Sequence, residues 1–439
     1  MRHGFFFGVC LAGCLSVHGP VLGAPELITT WSGYTHPLSY QGRTLTRDSK
    51  GNYFAVIRGG NNVNVWKRDV QTSAWTNMGA VNSKPLSGRE GECASIAVDG
   101  KDQVHVSFYD GSTPDLVHRL STDGKVFGLP HTIRAGVTWN GTAAGGPFLH
   151  IAKDNSLHVA FIAESGEKPY YGNSTDEGAT WSVTKVSDLG SSSLRPSVIT
   201  VASGRIVFGY SAPTFHSAYS DDAGKKWTES SPSTSGINTI VNCRLIGNGD
   251  NIYVTGQKID PTPRAIVTAT THGKDMIWGN WETVYSGSGA DASMFIDAEG
   301  ARNVVWRTYP DVPNLLYLST DKGGWQRKLV AEVPATDYLL PYAYWQEFFR
   351  GKPGQNLVSV LAPDVTNLKV YFAQLTMTYY VDGSTKITPP PKSKKAEKSE
   401  KRVGTDCVNC SGWYDALGKA KESYRSFAFL VSDFLPTAR

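Results

Sequence analysis

A strand, a tight turn and a second strand recur along this chain at a period of about fifty residues, the spacing of a repeat architecture. The units read TLTRDSKGNYFAVI, SIAVDGKDQVHVSF, LHIAKDNSLHVAF, VITVASGRIVFGY, RLIGNGDNIYVTG, MFIDAEGARNVVW and EFFRGKPGQNLVSV. Their turns centre on Gly51, Gly100, Asp154, Gly204, Gly249, Gly300 and Gly354, at intervals of 49, 54, 50, 45, 51 and 54 residues. Each unit runs on into a third strand, a polar turn and a fourth strand. Trp75, Trp181, Trp227, Trp281 or Trp325 marks that fourth strand, with Phe127 standing in once. Four antiparallel strands per period make one blade of a β-propeller. A lone blade leaves both faces in water, so blades must stack around an axis. Seven copies predict an all-β, seven-bladed β-propeller, with a six-bladed ring as the alternative. The segment APELITTWSGY (24–34) has no unit of its own. It is expected to supply the outer strand of the last blade and so remove two open sheet edges. Composition agrees: 45 Gly, 12 Trp and 20 Tyr with only 19% charged residues suit many short strands and tight turns.

The turn before the fourth strand has its own signature. Residues 174–181 read STDEGATW, 220–227 read SDDAGKKW, and 319–325 read STDKGGW; a fainter copy, STDGKVF, occupies 121–127. These boxes resemble the Asp-box, or bacterial neuraminidase repeat, of the sialidase superfamily, over roughly residues 25–385. The resemblance implies hairpin turns on the outer rim, where Asp and Ser bond turn amides and Trp packs between blades. Ser174, Asp176, Gly178, Trp181, Ser220, Asp222, Gly224, Trp227, Ser319, Asp321, Gly323 and Trp325 are therefore expected to be structural, not catalytic.

Propellers take ligands at the axis, on the face where the innermost strands begin. Reading back about ten residues from each turn gives a ring of candidates: Tyr40, Gln41 and Arg43; Arg89, Glu90 and Glu92; Trp139, Asn140 and His150; Arg195; Asn242 and Arg244; Asp291; then Tyr342, Tyr344, Trp345 and Glu347. Converging Arg side chains hold a carboxylate by paired hydrogen bonds. Tyr and Trp stack on sugar faces, and paired carboxylates divide acid and base work in glycoside cleavage. The resemblance implies an Arg clamp, for which Arg43, Arg195 and Arg244 are the candidates, with Arg89 and Trp345 as further substrate-binding residues. It also implies a Tyr nucleophile, Tyr342, polarised by Glu92 or Glu347, and an Asp acid or base, Asp291.

The sequence departs from the sialidase pattern in three respects. The first blade begins YQGRTLT, without the Arg-Ile-Pro that sialidases carry there. Arg195-Pro196 falls in another blade, and sialidases usually have six blades. Three functions stay open: a sialidase-like glycoside hydrolase, a polysaccharide lyase using His150, Tyr342 and Arg195, and a non-catalytic propeller binding a surface glycan or protein. His105 and His158 are expected half-buried in second strands, and His118 at a blade edge.

The ends of the chain differ in character. MRHGFFFGVCLAGCLSVHGPVLGAPE has one Arg, an apolar run and a small-residue exit, which predicts a signal peptide over 1–23 and a secreted or periplasmic protein. LAGC, ending at Cys14, resembles a bacterial lipobox, so a lipid anchor is the alternative and the expected route to a membrane. The propeller is placed at 24–385, a Pro- and Lys-rich linker at 386–405, and a small amphipathic helical tail at 406–439. The tail carries a single C-x-x-C (Cys407, Cys410), little support for zinc without a second pair. Six basic and two acidic residues over 392–402 account for the net charge of +4, leaving no basic face for nucleic acid. No cofactor or metal is expected; the expected partner is a glycan and the expected state a monomer.

Overall fold

The structure is a computed structural model of the chain. It describes residues 26–30, 43–83, 85–86, 94–110, 115–137, 146–164, 168–190, 195–233, 236–296, 300–308, 315–321, 324–332, 355–364 and 369–378. The signal segment, Cys14, the linker and the C-terminal tail with its C-x-x-C lie outside the described residues.

The described residues are all-β and form a β-propeller. β1 (Glu26–Thr30) opens the chain. The first blade is β2 (Leu45–Arg47), β3 (Tyr53–Gly59), β4 (Asn62–Arg68) and β5 (Trp75–Ala80); the second is β6 (Ser95–Val98), β7 (Val104–Asp110), β8 (Asp115–Ser121) and β9 (His131–Arg134). The third holds β10 (Phe148–Ile151), β11 (Leu157–Ala163), β12 (Lys168–Ser174) and β13 (Ser182–Lys185). The fourth holds β14 (Ser197–Thr200), β15 (Ile206–Ser211), β16 (Phe215–Ser220) and β17 (Thr228–Glu229). The fifth is β18 (Thr239–Asn248), β19 (Asn251–Asp260), β20 (Ala265–His272) and β21 (Glu282–Ser286). The sixth is β22 (Gly289–Ile296), β23 (Arg302–Thr308), β24 (Leu315–Thr320) and β25 (Gln326–Glu332). These six blades are four-stranded. β26 (Gln355–Asp364) and β27 (Lys369–Thr378) form one further sheet with β1, in the order β1-β27-β26.

Second strands such as β11, buried at every residue, are mostly apolar without a polar alternation because a blade is covered on both faces. Their side chains fill the seams between blades. Ile133, Leu149, Phe161 and Tyr170 pack with Ala97 and Tyr109 between the second and third blades. Phe148, Tyr171, Val198 and Phe208 fill the seam between the third and fourth.

β1 pairs antiparallel with β27, Glu26 opposite Phe372. The Glu26 carboxylate accepts from Nε and Nη2 of Arg68 at 2.8 and 2.7 Å, and from Trp75 Nε1 at 3.3 Å. Ile28 and Phe372 share a core with Leu45, Tyr53 and Ile57. The N-terminal strand therefore ties the sheet of β26 and β27 to the first blade.

The turns after the inner strands add a second seam. Gly51, Asp102, Asn155 and Gly204 take the left-handed conformation there. Asp102 accepts from Ser49 N and Oγ, both at 2.7 Å, and Asn155 Oδ1 accepts from Gly100 N at 2.9 Å. Each side chain reaches back to the turn of the preceding blade, so Asp and Asn at these positions are inter-blade ties.

Candidate functional site

The inner strands are stitched together where they begin. Ile96 N donates to Arg43 O at 2.6 Å. Ser95 Oγ accepts from Arg43 N at 2.9 Å and from Leu149 N at 3.0 Å, joining three blades through one buried hydroxyl. Ser197 Oγ accepts from Leu245 N at 3.2 Å in the same way. A small hydroxyl fits where backbones approach this closely.

Six of the ring candidates, Arg43, His150, Arg195, Asn242, Arg244 and Asp291, fall among the described residues. Arg43 immediately precedes Thr44 and β2, and its guanidinium lies over the Phe148 ring at 5.5 Å. Its backbone is bonded to the second blade while its side chain reaches the third. Arg195 stands two residues before β14, close enough for its charge to act on the buried free thiol of Cys243. Burial pushes that thiol up to about 12, opposed by Ser211 and then by Arg195. Arg244 lies in β18 opposite Thr255, just after a bulge that takes in Asn242 and Cys243. Asp291 occupies the equivalent bulge of β22, between the pairs Ala290–Arg307 and Ser293–Val305. Asn242 is left-handed, and its Nδ2 meets Gln257 Oε1 at 3.4 Å. Two consecutive inner strands thus carry a bulge at the same place. Tyr342, Glu347, Trp345, Glu92 and Arg89 lie outside the described residues, as do Tyr40, Gln41, Glu90, Trp139, Asn140 and Tyr344.

His150 sits on β10 two residues from Phe148. Thr200 of the fourth blade gives its backbone N–H to His150 Nε2 at 3.1 Å, with its hydroxyl at 2.9 Å. Burial, then the Arg43 charge, then His158 hold this imidazole well below its ordinary range.

The other histidines are more buried than expected. His118 is fully buried in β8 and not at a blade edge; His105 and His158 are buried, not half-buried. Each has a polar partner that makes burial tolerable. His105 Nδ1 lies 3.0 Å from His118 Nε2, and its Nε2 lies 3.5 Å from the Asp99 carboxylate. In the third blade, Tyr171 OH lies 2.6 Å from His158 Nδ1, and His158 Nε2 lies 2.9 Å from Ser156 Oγ. Ser156 Oγ in turn donates to Asp154 Oδ1 at 2.6 Å. The carboxylate can only accept, so every proton in this chain has one consistent direction.

The polar turns before the fourth strands close on themselves. Ser174 Oγ donates to Asp176 Oδ1 at 2.7 Å and accepts from Gly178 N at 2.9 Å. Asp176 Oδ1 accepts from Thr180 N at 2.9 Å, and Trp181 Nε1 donates to Gly178 O at 2.9 Å. Ser220, Asp222 and Gly224 repeat the pattern in the fourth blade. Beside that turn the Arg205 guanidinium lies over the Tyr219 ring at 4.2 Å and pairs with Asp221. In the sixth blade the partners change. Ser319 Oγ accepts from Trp306 Nε1 at 3.0 Å, while the Asp321 carboxylate accepts from Arg302 N and Nε at 2.9 and 2.7 Å. Gly324 holds the left-handed position in this turn, and Gly323 lies outside the described residues.

One cluster has no counterpart among the sequence candidates. Arg134 Nη2 donates to Glu164 Oε1 at 3.2 Å and its guanidinium lies 4.1 Å from the centre of the Tyr170 ring, while Tyr170 OH donates to Glu164. Burial and Glu164 push the Tyr170 phenol up, so it serves as a donor and not as a phenolate nucleophile. Its members come from β9, β12 and the residue after β11, and no short motif links them. Among the described residues, no group of three or more His, Cys, Asp or Glu side chains is placed to hold a metal ion.

No family model and no curated protein matches the chain. Solved structures similar to it include YCF48 bound to D1 peptide, at 14% identity and TM-score 0.47, covering 83% of this chain and 100% of that one. The polysaccharide lyase Uly1 is similar at 13% identity and TM-score 0.46, covering 79% and 91%. The Hadza microbial sialidase Hz136 is similar at 12% identity and TM-score 0.42, covering 74% and 73%. Likenesses at this level assign neither activity nor ligand.

Proposed function

We propose that the chain is an exported, sialidase-like β-propeller directed at acidic glycans, with its ligand held where the inner strands begin. One observation carries this reading: the Arg43 guanidinium leaves the first blade and reaches the inner strand of the third. Arg195 stands just before the fourth inner strand and Arg244 within the fifth, just after its bulge; in this reading the three converge on one carboxylate. Arg89 and Trp345 complete the binding set in this reading. Tyr342 is the nucleophile candidate, Glu92 or Glu347 its partner, and Asp291 the acid or base.

The rim boxes are structural in the same reading, and residues 1–23 are a signal peptide, with a lipid on Cys14 as the alternative. The sheet of β26, β27 and β1 is read as a seventh blade. A lyase with His150 as base is disfavoured, because Thr200 N–H occupies the Nε2 lone pair. A glycan array on purified protein, with screens for hydrolysis and for the ultraviolet absorbance of a new double bond, tests the proposal. Binding confined to acidic glycans supports it, and an array blank for them overturns it.

A further inference from the structure

The second and third blades carry the same buried polar chain with different ends. In the second, His105 Nε2 lies 3.5 Å from the Asp99 carboxylate and its Nδ1 lies 3.0 Å from His118 Nε2. In the third, His158 Nδ1 meets Tyr171 OH. His118 and Tyr171 hold the same place on β8 and β12. The polar turn of the following blade closes over each: Gly178 and Trp181 over His118, Gly224 and Trp227 over Tyr171. The Asp99 carboxylate can only accept, which favours a proton on His105 Nε2 and makes its Nδ1 the acceptor of His118 Nε2–H. His118 Nδ1 is then bare. It is buried under the turn and has no hydrogen-bond partner among the described residues.

The charged groups around His118 are engaged elsewhere or repel a proton on it. Glu177 of the turn pairs with Lys101, and Asp176 is held by Ser174 and Thr180. His105 and, opposite on β9, His131 disfavour a charge on the ring, and Arg119, next along β8, lies on the other face of the strand. We infer that the seam between the second and third blades is an acid-opened latch: a proton from water, taken up at His118 Nδ1, lifts the 174–181 turn off the ring, while the matching turn over Tyr171 stays shut. Burial, then His105, then His131 hold the closed imidazole well below its ordinary range, with the Gly178 backbone opposing least. Below pH 6.5 the opened turn frees a ring that binds a proton the closed one refuses, so opening gains about tenfold per pH unit. Tyr171 offers no such proton site, because burial pushes its phenol further up.

Amide hydrogen exchange of the full chain tests this, read at Gly178 N–H, held by Ser174 Oγ, and at Gly224 N–H, held by Ser220 Oγ. Protection at Gly178 should fall about tenfold for each pH unit below 6.5, while Gly224 keeps its own. The ratio of the two cancels the pH dependence of the exchange chemistry itself. His118→Tyr, which gives the second blade the ring of the third, should hold the ratio constant, and Tyr171→His should hand the response to Gly224. His158→Gln should leave the Gly178 response in place. A constant ratio in the unchanged protein, or both amides losing protection together, overturns the latch whether or not the variants fold. So does a Gly178 response that survives His118→Tyr.

Discussion

A Cβ placed on Gly178 would lie 2.2 Å from Nδ1 of His118. The glycine belongs to the polar turn of the third blade, the histidine to the third strand of the second. Gly224 stands in the same relation to Tyr171, one blade further on, again at 2.2 Å. The turn glycine is thus required twice over, by its left-handed φ of 87° and by the ring beneath it. Trp181 then covers His118, with ring centroids 5.5 Å apart, and Trp227 covers Tyr171 at 5.2 Å.

Gly178→Ala should therefore destabilise the protein by roughly 2–4 kcal/mol, combining backbone strain with overpacking. Gly204→Ala is the control. Its φ is 86°, but nothing lies within 4 Å of the added Cβ, so it should cost only about 1 kcal/mol. Thermal unfolding of the two variants checks this; equal losses would leave the inter-blade contact without energetic weight.

The repeat period and the turns were legible in the sequence because local turn chemistry and apolar runs encode them. Gly51 and Gly204 announce left-handed turns, and Glu26–Thr30 pairs with β27. The burial of His118 was not legible. Its ring is enclosed by Gly178 and Trp181, about sixty residues away in sequence, and only the stacking of blades brings them together. The Arg134–Glu164–Tyr170 cluster was hidden for the same reason. Arg43 and Arg195 could be placed near the starts of inner strands, and Arg244 within one, by counting back from the turns, but counting gives no side-chain direction. The bulges at Asn242 and Asp291 break that count locally.

Stability should fall on mild acidification. Burial lowers His158 to about 4 from an unfolded value of 6.5, and holds His118 well below its ordinary range. His105 and His131 add repulsion at His118, opposed by the Gly178 backbone; Asp154 opposes the shift at His158. Between those pH values the unfolded chain binds more protons than the folded one. The stabilisation is full above pH 6.5 and is lost progressively as pH falls toward 4. Tm measured across this window should drop, and His158→Gln should flatten the profile. A Tm independent of pH between 6.5 and 4 would contradict the buried neutral histidines.

The polar turns should matter for stability and not for ligand. Ser174→Ala removes the acceptor of the buried Gly178 N–H and should cost about 1–2 kcal/mol. The Thr180 hydroxyl and amide and the Ser174 hydroxyl hold the Asp176 carboxyl down to about 2. Its contribution is present above the ordinary carboxylate range and disappears as pH falls through about 2. Calorimetry reads the first effect, and sugar binding by the same variant should be unchanged. A large loss of binding in a folded Ser174→Ala protein would make the turn part of the site.

Arg43, Arg195 and Arg244 supply the test of the clamp. A carboxylate held by converging guanidinium groups loses a charged partner when any one is truncated. Arg43→Ala, Arg195→Ala and Arg244→Ala should each cost roughly 2–4 kcal/mol of affinity for glucuronate. Any residual affinity for glucose, which lacks the carboxylate, should be the same in all three variants as in the unchanged protein. Raised salt should weaken glucuronate binding modestly, since a partly enclosed charge pair is incompletely screened. Tyr342→Phe separates binding from turnover: it should abolish hydrolysis and leave affinity in place if that phenol is the nucleophile. Isothermal titration with the two sugars decides the clamp. Equal losses for glucuronate and glucose would mean that these arginines shape the site without reading a negative charge, and the acidic-sugar reading would fall with them.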